Sequence, residues 1–423
     1  MSGRRVVITG LGLVTPLGLG AEEFWAGLIA GRSAVAQTSF VEGEEPRALA
    51  ARVPDFNIRS YVADRSLIRM MERSDRFGLT AARLAADEAP CDEIAPERRG
   101  AYVATSKLMG PVEVLFDAMR VSRNEAGEMT SALLGKDGYG QIPPLTLLNG
   151  LPNGCLFATS VIHSTRGAGT NLLGSGEVSL LAVMTAYHAL RRGDLDWALA
   201  GGHDSATDRW SYANFQRLGL LSRRSDDPAR AVKPFDRRRD GFAVGEGAGM
   251  VALEPLEQAQ ARGRKIWAEI VGCASTSDAA GMVSPRADGS ALAVAIRNAI
   301  EQAGLSPDDI DYVNAYGSAT PAGDRTEIRA LESVFGNSRR RPLVSGIKGA
   351  IGHLVAASGV VELGATLLAL QHQTVPATLN LEEPEPECRF DCVPHEARPA
   401  EIATALTICR GIGGQNAVMV LRR

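Results

Sequence analysis

Strand-like and helix-like patterns alternate along most of the chain, and this alternation restricts the folds that it can adopt. Strand-like apolar runs cover residues 5–9, 101–104, 197–200, 249–254, 268–273, 312–315, 343–345, 403–409 and 417–421. Helical periodicity covers residues 22–30, 75–88, 112–119, 178–191, 291–303, 326–334 and 355–372. Strands that alternate with helices predict an α/β fold with mainly buried sheets.

The length of 423 residues is too great for one simple pair of layers and predicts two or three core-forming units. A charged segment rich in Gln, Ala and Arg follows a strand at residues 255–264, near the middle of the chain. We therefore expect an N-terminal half over residues 1–255 and a C-terminal half over residues 256–423.

The charge and the apolar pattern exclude several classes of function. The net charge of −4 lacks the basic excess of a nucleic-acid binder. The most apolar long stretch, residues 360–370, contains Glu362, so we expect no membrane span. The six cysteines form no CxxC pair and the six histidines have no metal-binding spacing. We therefore expect a cytoplasmic, reducing location and no bound metal.

A small-residue turn, Gly174-Ser175-Gly176, runs directly into the helical pattern at residues 178–191. A strand–turn–helix junction of this kind often carries a catalytic nucleophile. Here the turn offers one serine, with the acid Glu177 beside it. The turn therefore raises the question of whether this site still performs chemistry.

Three later segments could line a pocket, although each also has an ordinary structural interpretation. A polar loop follows a strand within residues 311–324 and is equally consistent with a simple β-to-α connection. His353 starts a small-residue helix, and Lys348 precedes it on a glycine-rich loop. A histidine there can serve as acid, base or hydrogen-bond donor to an oxyanion. The glycine-rich loop at residues 410–417 could present N–H groups to a negative charge or simply form a sharp turn.

Together, the order and spacing of these segments resemble the β-ketoacyl-acyl carrier protein synthase family, the ketosynthases of the thiolase-like superfamily. The resemblance covers essentially the whole chain and includes VVITGLGLVTPLG, RGAGT, AGGHDS, KPFDRRRDGFAVGEGAGMVALE, DYVNAYGSATPAGD, KGAIGHLVAASG and GIGGQNA. It implies a thiolase-like sandwich of five layers, α-β-α-β-α. Its two similar halves would join near Pro255 and pair their sheets back to back, with no cofactor.

The resemblance also shows which catalytic residues are missing. Active members use a cysteine nucleophile and two histidines. Counting back from the end of the following helix places the nucleophile at Gly176, which has no side chain to acylate. The first histidine is replaced by Tyr316, whereas the second is retained as His353, with Lys348 before it. The aromatic gate of the family's GFGGT segment is Ile412 here.

This pattern is similar to the chain-length factor, a ketosynthase subunit that does not condense. Such a subunit pairs with a catalytic ketosynthase in a heterodimer, works with an acyl carrier protein and limits the acyl chain in type II polyketide or fatty-acid-like synthesis. The resemblance implies that the segment after residues 101–104 faces the partner and the acyl tunnel. One helix face there presents four apolar residues: Val112, Leu115, Phe116 and Met119.

The sequence leaves alternatives open for this helix face and for the function. The four apolar residues could equally pack the core or the subunit interface, because periodicity does not separate these environments. The resemblance makes residues 122–152 and 168–173 candidate interface segments. A second function is a malonyl-carrier decarboxylase or acyltransferase that uses His353 with Ser175 or Glu177. A third is a scaffold that only stabilises its partner.

Overall fold

The computed structural model describes residues 3–40, 45, 47–54, 56–107 and 112–423, and the side chains of Val112 and Glu113 lie outside this description. The strands are β1 Val6–Thr15, β2 Gly18–Leu19, β3 Val35–Thr38, β4 Ala48–Ala51, β5 Arg99–Thr105, β6 Gly169–Leu173, β7 Trp197–Ser205, β8 Val244–Pro255, β9 Ala268–Ser277, β10 Tyr312–Asn314, β11 Leu343–Ser345, β12 Thr374–Val375, β13 Arg398–Pro399, β14 Thr404–Arg410 and β15 Gln415–Arg422. The helices are α1 Gly20–Ile29, α2 Arg65–Arg69, α3 Arg73–Glu88, α4 Val112–Val121, α5 Ser131–Leu133, α6 Thr146–Gly150, α7 Gly154–His163, α8 Val178–Arg192, α9 Arg209–Arg217, α10 Leu256–Ala261, α11 Ser290–Gln302, α12 Pro321–Phe335, α13 Lys348–Ile351 and α14 Ser358–His372.

The two halves of the chain build sheets with the same strand order. The first sheet runs β6-β5-β7-β8-β1 and the second runs β11-β10-β14-β15-β9. If the strands of each sheet are numbered by their order in the chain, both sheets read 3-2-4-5-1. The predicted α/β fold of two similar halves is therefore confirmed, while a boundary after Pro255, where β8 ends, remains a proposal.

Helices α8 and α14 lie between the two sheets and give the fold its central layer. Their apolar side chains share one core with residues of both sheets, including Leu180 and Val183 of α8 and Val360 and Leu363 of α14. Helix α3 packs on the outer face of the first sheet, and α11 packs on the outer face of the second. The two sheets are hydrogen-bonded to each other only along β1 and β9 in the described part of the chain.

The helical segment Val355–His372 is long and apolar. Its length and composition would suffice for a membrane span, yet 89% of the segment is buried inside the protein. Burial on all sides explains why it lacks a polar face. The one acid within it, Glu362, is 1% exposed and contributes to the site described next.

Candidate active site

The turn Gly174–Gly176 links β6 to α8, as the sequence predicts, and Gly176 itself is buried. A Cβ atom at this position would lie 2.6 Å from the hydroxyl of Tyr316 and closer still to the carbonyl oxygen of Arg410. Packed Cβ atoms do not approach other heavy atoms this closely. The position therefore has no room for any side chain while Tyr316 and Arg410 keep their places.

Tyr316 brings the separate sequence segments together. Its hydroxyl lies 2.5 Å from Nε2 of His353, and its carbonyl oxygen accepts a hydrogen bond of 2.5 Å from Nζ of Lys348. The ammonium group also lies 3.8 Å from the centre of the tyrosine ring, a cation–π contact. The structure thus assembles Gly176, Tyr316, Lys348 and His353 at one place.

The hydrogen bonds of His353 assign its tautomer. The backbone N–H of Val355 donates to Nδ1 at 3.0 Å, so Nδ1 carries no proton. The neutral ring must then carry its proton on Nε2 and donate it to the oxygen of Tyr316. Burial, together with the charge on Lys348, holds the pKa of His353 well below its usual range. His353 is therefore a neutral donor whose two nitrogens are both engaged.

A buried ion pair supports this arrangement, and sequence reasoning missed it. Lys348 pairs with Glu362, and both side chains are almost fully buried. The other carboxylate oxygen of Glu362 accepts a hydrogen bond of 3.1 Å from the thiol of Cys409. The available signal was an acid inside an otherwise apolar helix, because a buried charge requires a partner.

A second carboxylate, Glu327 of α12, fixes the backbone on which Tyr316 is mounted. Its two oxygens accept hydrogen bonds from the N–H groups of Tyr316 at 2.8 Å and Gly317 at 2.9 Å. Complete burial raises the pKa of Glu327 to about 7, while these N–H groups and Arg410 act in the opposite direction. Glu327 is therefore a positioning residue that titrates near neutral pH.

The raised pKa of Glu327 predicts a pH-dependent loss of stability. An ordinary glutamate has a pKa near 4.5, so between that pH and about 7 the native state binds more protons than the unfolded state. The free energy of unfolding must then fall as pH rises through this window, by roughly 3 kcal/mol from this group. Glu327→Gln should remove this pH-dependent decrease in the free energy of unfolding. Urea unfolding at several pH values measures it. Glu301→Gln, an exposed site on α11, is the control; parallel pH profiles for wild type and Glu327→Gln would contradict this assignment.

Two cavities meet at Ile412. The smaller, of about 80 Å³, is lined by polar groups that include Ser318, Thr320 and Arg410 together with Tyr316 and His353. The larger, of about 720 Å³, has mainly apolar walls from β6, α8 and neighbouring loops. Because Ile412 lines both, its side chain stands at the boundary between the two cavities.

Arg410 is a second residue that sequence reasoning missed. Its guanidinium is buried and lies 3.2 Å from the carboxylate of Asp278, and it also binds the side chain of Asn416 at 3.0 Å. These partners hold the Arg410 side chain beside the smaller cavity. Arg410 therefore supplies a fixed positive charge within the site.

The two residues considered for an alternative chemistry also lie beside the larger cavity. Glu177 is 5% exposed, and one of its carboxylate oxygens has no hydrogen-bond partner. That oxygen packs against Gly411 so closely that a Cβ at position 411 would overlap it. Burial raises the pKa of Glu177. Ser175 lines the same cavity within the turn.

The predicted helix after β5 is present as α4, and its apolar residues are exposed rather than packed in the core. Phe116 is 52% exposed and Met119 is 40% exposed, whereas Leu115 is half-buried and the side chain of Val112 lies outside the described residues. Exposure rules out the core-packing alternative for Phe116 and Met119. Lining of a tunnel at a subunit interface remains a prediction for this face.

The fold and the site together define a class. Two halves of equal strand order enclose a helical layer, and the turn before its first helix meets a Lys–Glu pair and a histidine from the second half. This is the architecture of a thiolase-like protein.

Comparison with known proteins defines the family. The model of the beta-ketoacyl synthase N-terminal domain matches residues 3–137 and 177–259, and that of the C-terminal domain matches residues 267–382. The chain therefore belongs to the β-ketoacyl synthase family, with the ketosynthase fold of fatty acid and polyketide synthesis.

Named relatives match along nearly the full chain. A 3-oxoacyl-[acyl-carrier-protein] synthase 2 from Rhizobium meliloti is 37% identical, with 99% of each chain covered. A putative polyketide beta-ketoacyl synthase 1 from Streptomyces halstedii is 36% identical, covering 99% of this chain and 98% of the relative. The solved ishigamide ketosynthase/chain length factor superposes with a TM-score of 0.87 at 30% identity, with 99% of each chain covered.

Proposed function

We propose that this chain is a non-condensing ketosynthase subunit of the chain-length-factor type. The observation that carries the proposal is the filled nucleophile position. Gly176 lacks a side chain, and the hydroxyl of Tyr316 occupies the space that a side chain would need. Glycine at position 176 and tyrosine at position 316 fit together sterically, which supports a site that no longer forms an acyl thioester. The similarity to a solved ketosynthase/chain length factor supports the same proposal.

The N-terminal half carries a surface suited to a catalytic partner subunit. Strand β6 is hydrogen-bonded to β5 on one side only, among the described residues, so its other edge is available for pairing. Large apolar side chains are exposed in β6, with Leu173 at 50%, and in α7, which packs against β5, with Phe157 and Val161 each at 52%. Patches of this kind mark protein interfaces. We propose that a catalytic ketosynthase covers this surface and that an acyl carrier protein delivers the substrate.

The alternative of a decarboxylase or acyltransferase has less support. A catalytic His353 would need a free ring nitrogen, yet both nitrogens are hydrogen-bonded, to Val355 and to Tyr316. Glu177 packs against Gly411 and makes no contact with His353 among the described hydrogen bonds.

Co-expression with candidate catalytic ketosynthases tests the proposal. We expect a 1:1 complex that elongates malonyl units on an acyl carrier protein, whereas the chain alone forms no acyl adduct and releases no CO₂ from malonyl carrier. Mass spectrometry and a decarboxylation assay measure these results. Activity of the isolated chain would instead favour the decarboxylase or transferase function.

The exposed face of α4 predicts an effect on product length. Phe116→Ala or Met119→Ala in the complex should lengthen the product by one or more extension units, because removing bulk enlarges the end of a tunnel. Chromatography of the products with mass detection measures their length. Val294→Ala, an exposed apolar residue on α11 in the other half, is the matched control. If both variants keep the wild-type product while elongation still requires the chain, the chain is only a scaffold.

A further inference from the structure

Two thiols lie next to each other in a loop outside the site described above. Sγ of Cys388 is 3.4 Å from Sγ of Cys392, and both residues lie between β12 and β13. Cys388 is half-buried and Cys392 is 4% exposed. A disulfide bond is about 2 Å long, so a small rotation of the two side chains would bring the sulfur atoms to bonding distance.

The backbone at Cys388 is anchored on α12. The N–H of Cys388 donates to the carbonyl oxygen of Glu385 at 2.8 Å, which closes a turn. Within this turn, both carboxylate oxygens of Glu387 accept hydrogen bonds from Arg329 of α12, at 2.8 and 3.0 Å. A bidentate pair of this kind fixes orientation as well as distance. The first thiol is therefore held in place by contacts that do not involve the second.

The backbone at Cys392 is anchored separately, on β11 and its neighbourhood. The carbonyl oxygen of Asp391 accepts the N–H of Val344 in β11 at 2.9 Å, and that of Val393 accepts the N–H of Thr378 at 2.8 Å. Val393 has a φ of 42°, in the left-handed region that a β-branched residue rarely adopts. Surrounding contacts must maintain such a conformation. The fold thus holds the two sulfur atoms against each other from two sides.

The two thiols differ in reactivity from the other cysteines. The hydrogen bond from Cys392 holds the pKa of the Cys388 thiol below its usual range, although burial acts in the opposite direction. Burial raises the pKa of the four cysteines elsewhere in the chain, which are Cys91, Cys155, Cys273 and Cys409. Because the thiolate is the reactive form, an oxidant should attack Cys388 first. Cys392 is then in place to attack the oxidised sulfur.

We propose that Cys388 and Cys392 form a site of reversible oxidation, which hydrogen peroxide converts to a disulfide and a dithiol reductant restores. The thiolate of Cys388 attacks one peroxide oxygen, the O–O bond breaks, and the other oxygen takes up a proton and leaves as water. The sulfur of Cys392 then attacks the sulfenic acid on Cys388, loses its proton and displaces a second water. Two thiols and one peroxide give one disulfide and two waters. The new bond joins a segment anchored on α12 to one anchored on β11.

Counting thiols in the purified chain tests the inference. The chain is treated with equimolar hydrogen peroxide, denatured, and alkylated with N-ethylmaleimide, and intact-mass spectrometry counts the labels. We expect the number of reactive thiols to fall from six to four, and dithiothreitol to restore six. Trypsin cleaves after Arg389, between the two cysteines, so the disulfide should appear as a linked pair of peptides. Tandem mass spectrometry distinguishes Cys392 from Cys409, which lies on the same tryptic peptide.

Three variants assign the two roles. Cys388→Ser should lose its remaining thiols at least about tenfold more slowly than the wild type, because the thiolate that reacts first is gone. Cys392→Ala should accumulate a sulfenic acid on Cys388, which dimedone traps, because no second thiol resolves it. Cys91→Ala removes a buried cysteine from the other half of the chain and should still lose two thiols.

Three results would each overturn the inference. One is a wild-type chain that keeps six thiols under peroxide, and another is a disulfide that links any other pair of cysteines. The third is a loss of two thiols from Cys388→Ser at the wild-type rate. None of these results bears on the proposed subunit function, since the experiment requires neither a partner nor an acyl substrate.

Discussion

A Gly176→Cys variant is expected to remain unacylated and to lose stability, whereas Gly176→Cys combined with Tyr316→His is expected to form an acyl thioester. In the single variant the new Cβ meets the Tyr316 hydroxyl at 2.6 Å, so the surroundings must shift. Overpacking of this kind costs about 1–3 kcal/mol. Histidine lacks the outer part of the tyrosine ring and its hydroxyl, which removes the contact of the new Cβ with the hydroxyl. The carbonyl oxygen of Arg410, which lies closer still to this Cβ, must also shift before the thiol fits. The start of α8 then favours the thiolate.

The measurement is intact-mass spectrometry after incubation with an acyl-pantetheine thioester. Transfer moves the acyl group to the thiol of the variant and releases free pantetheine. Five of the six native cysteines are buried and Cys388 is partly exposed, so Tyr316→His alone serves as the background control. If Gly176→Cys is acylated as fast as the double variant, the hydroxyl of Tyr316 does not block the site, and the observation behind the proposed function is lost.

Long periodic segments were predictable from the sequence. The strand expected at residues 197–200 is the first part of β7, and the helix expected at residues 178–191 is α8 within one residue. Both are buried by extensive packing, so their apolar periodicity reflects a single environment. Strands β3 and β4 were missed although the shorter β10 and β11 were predicted, because their sequences, VAQT and ALAA, are rich in alanine, which is depleted in strands. The short helices α5 and α6 were missed within residues 122–152 because they span three and five residues, which is less than two helical turns.

The site was predictable in its members but not in its geometry. Resemblance to a family picked out Gly176, Tyr316, Lys348 and His353 because each replaces or retains a residue of a recognised motif. The steric conflict at Gly176 joins residues that are far apart in sequence, so no local pattern reveals it. Glu327 was missed likewise, since a glutamate within α12 gives no sign that it binds the backbone of another segment.

Lys348→Met is expected to lower the free energy of unfolding by about 3–5 kcal/mol, which places it among the most destabilising single substitutions in this core. It leaves the carboxylate of Glu362 buried without its partner and removes the hydrogen bond to the carbonyl oxygen of Tyr316. The double variant Lys348→Met/Glu362→Leu should recover much of this loss, because a buried pair can often be replaced by apolar residues at little cost. Urea unfolding of both single variants and the double variant completes the thermodynamic cycle.

The pH dependence separates an uncompensated charge from a simple packing defect. Burial already raises the pKa of Glu362 in the wild type, and loss of the ammonium group should raise it further. The carboxyl then takes up a proton as pH falls, so the destabilisation in Lys348→Met should shrink at acid pH, whereas a cavity would cost the same at every pH.

Arg83→Ala is the control, because it breaks an exposed ion pair with Asp87 on α3. It should lower the free energy of unfolding by at most about 0.5 kcal/mol, the loss expected for a surface pair. A small, pH-independent loss in Lys348→Met would mean that the ion pair does not hold Tyr316 over Gly176, and that the tyrosine is kept there by packing and by Glu327 alone.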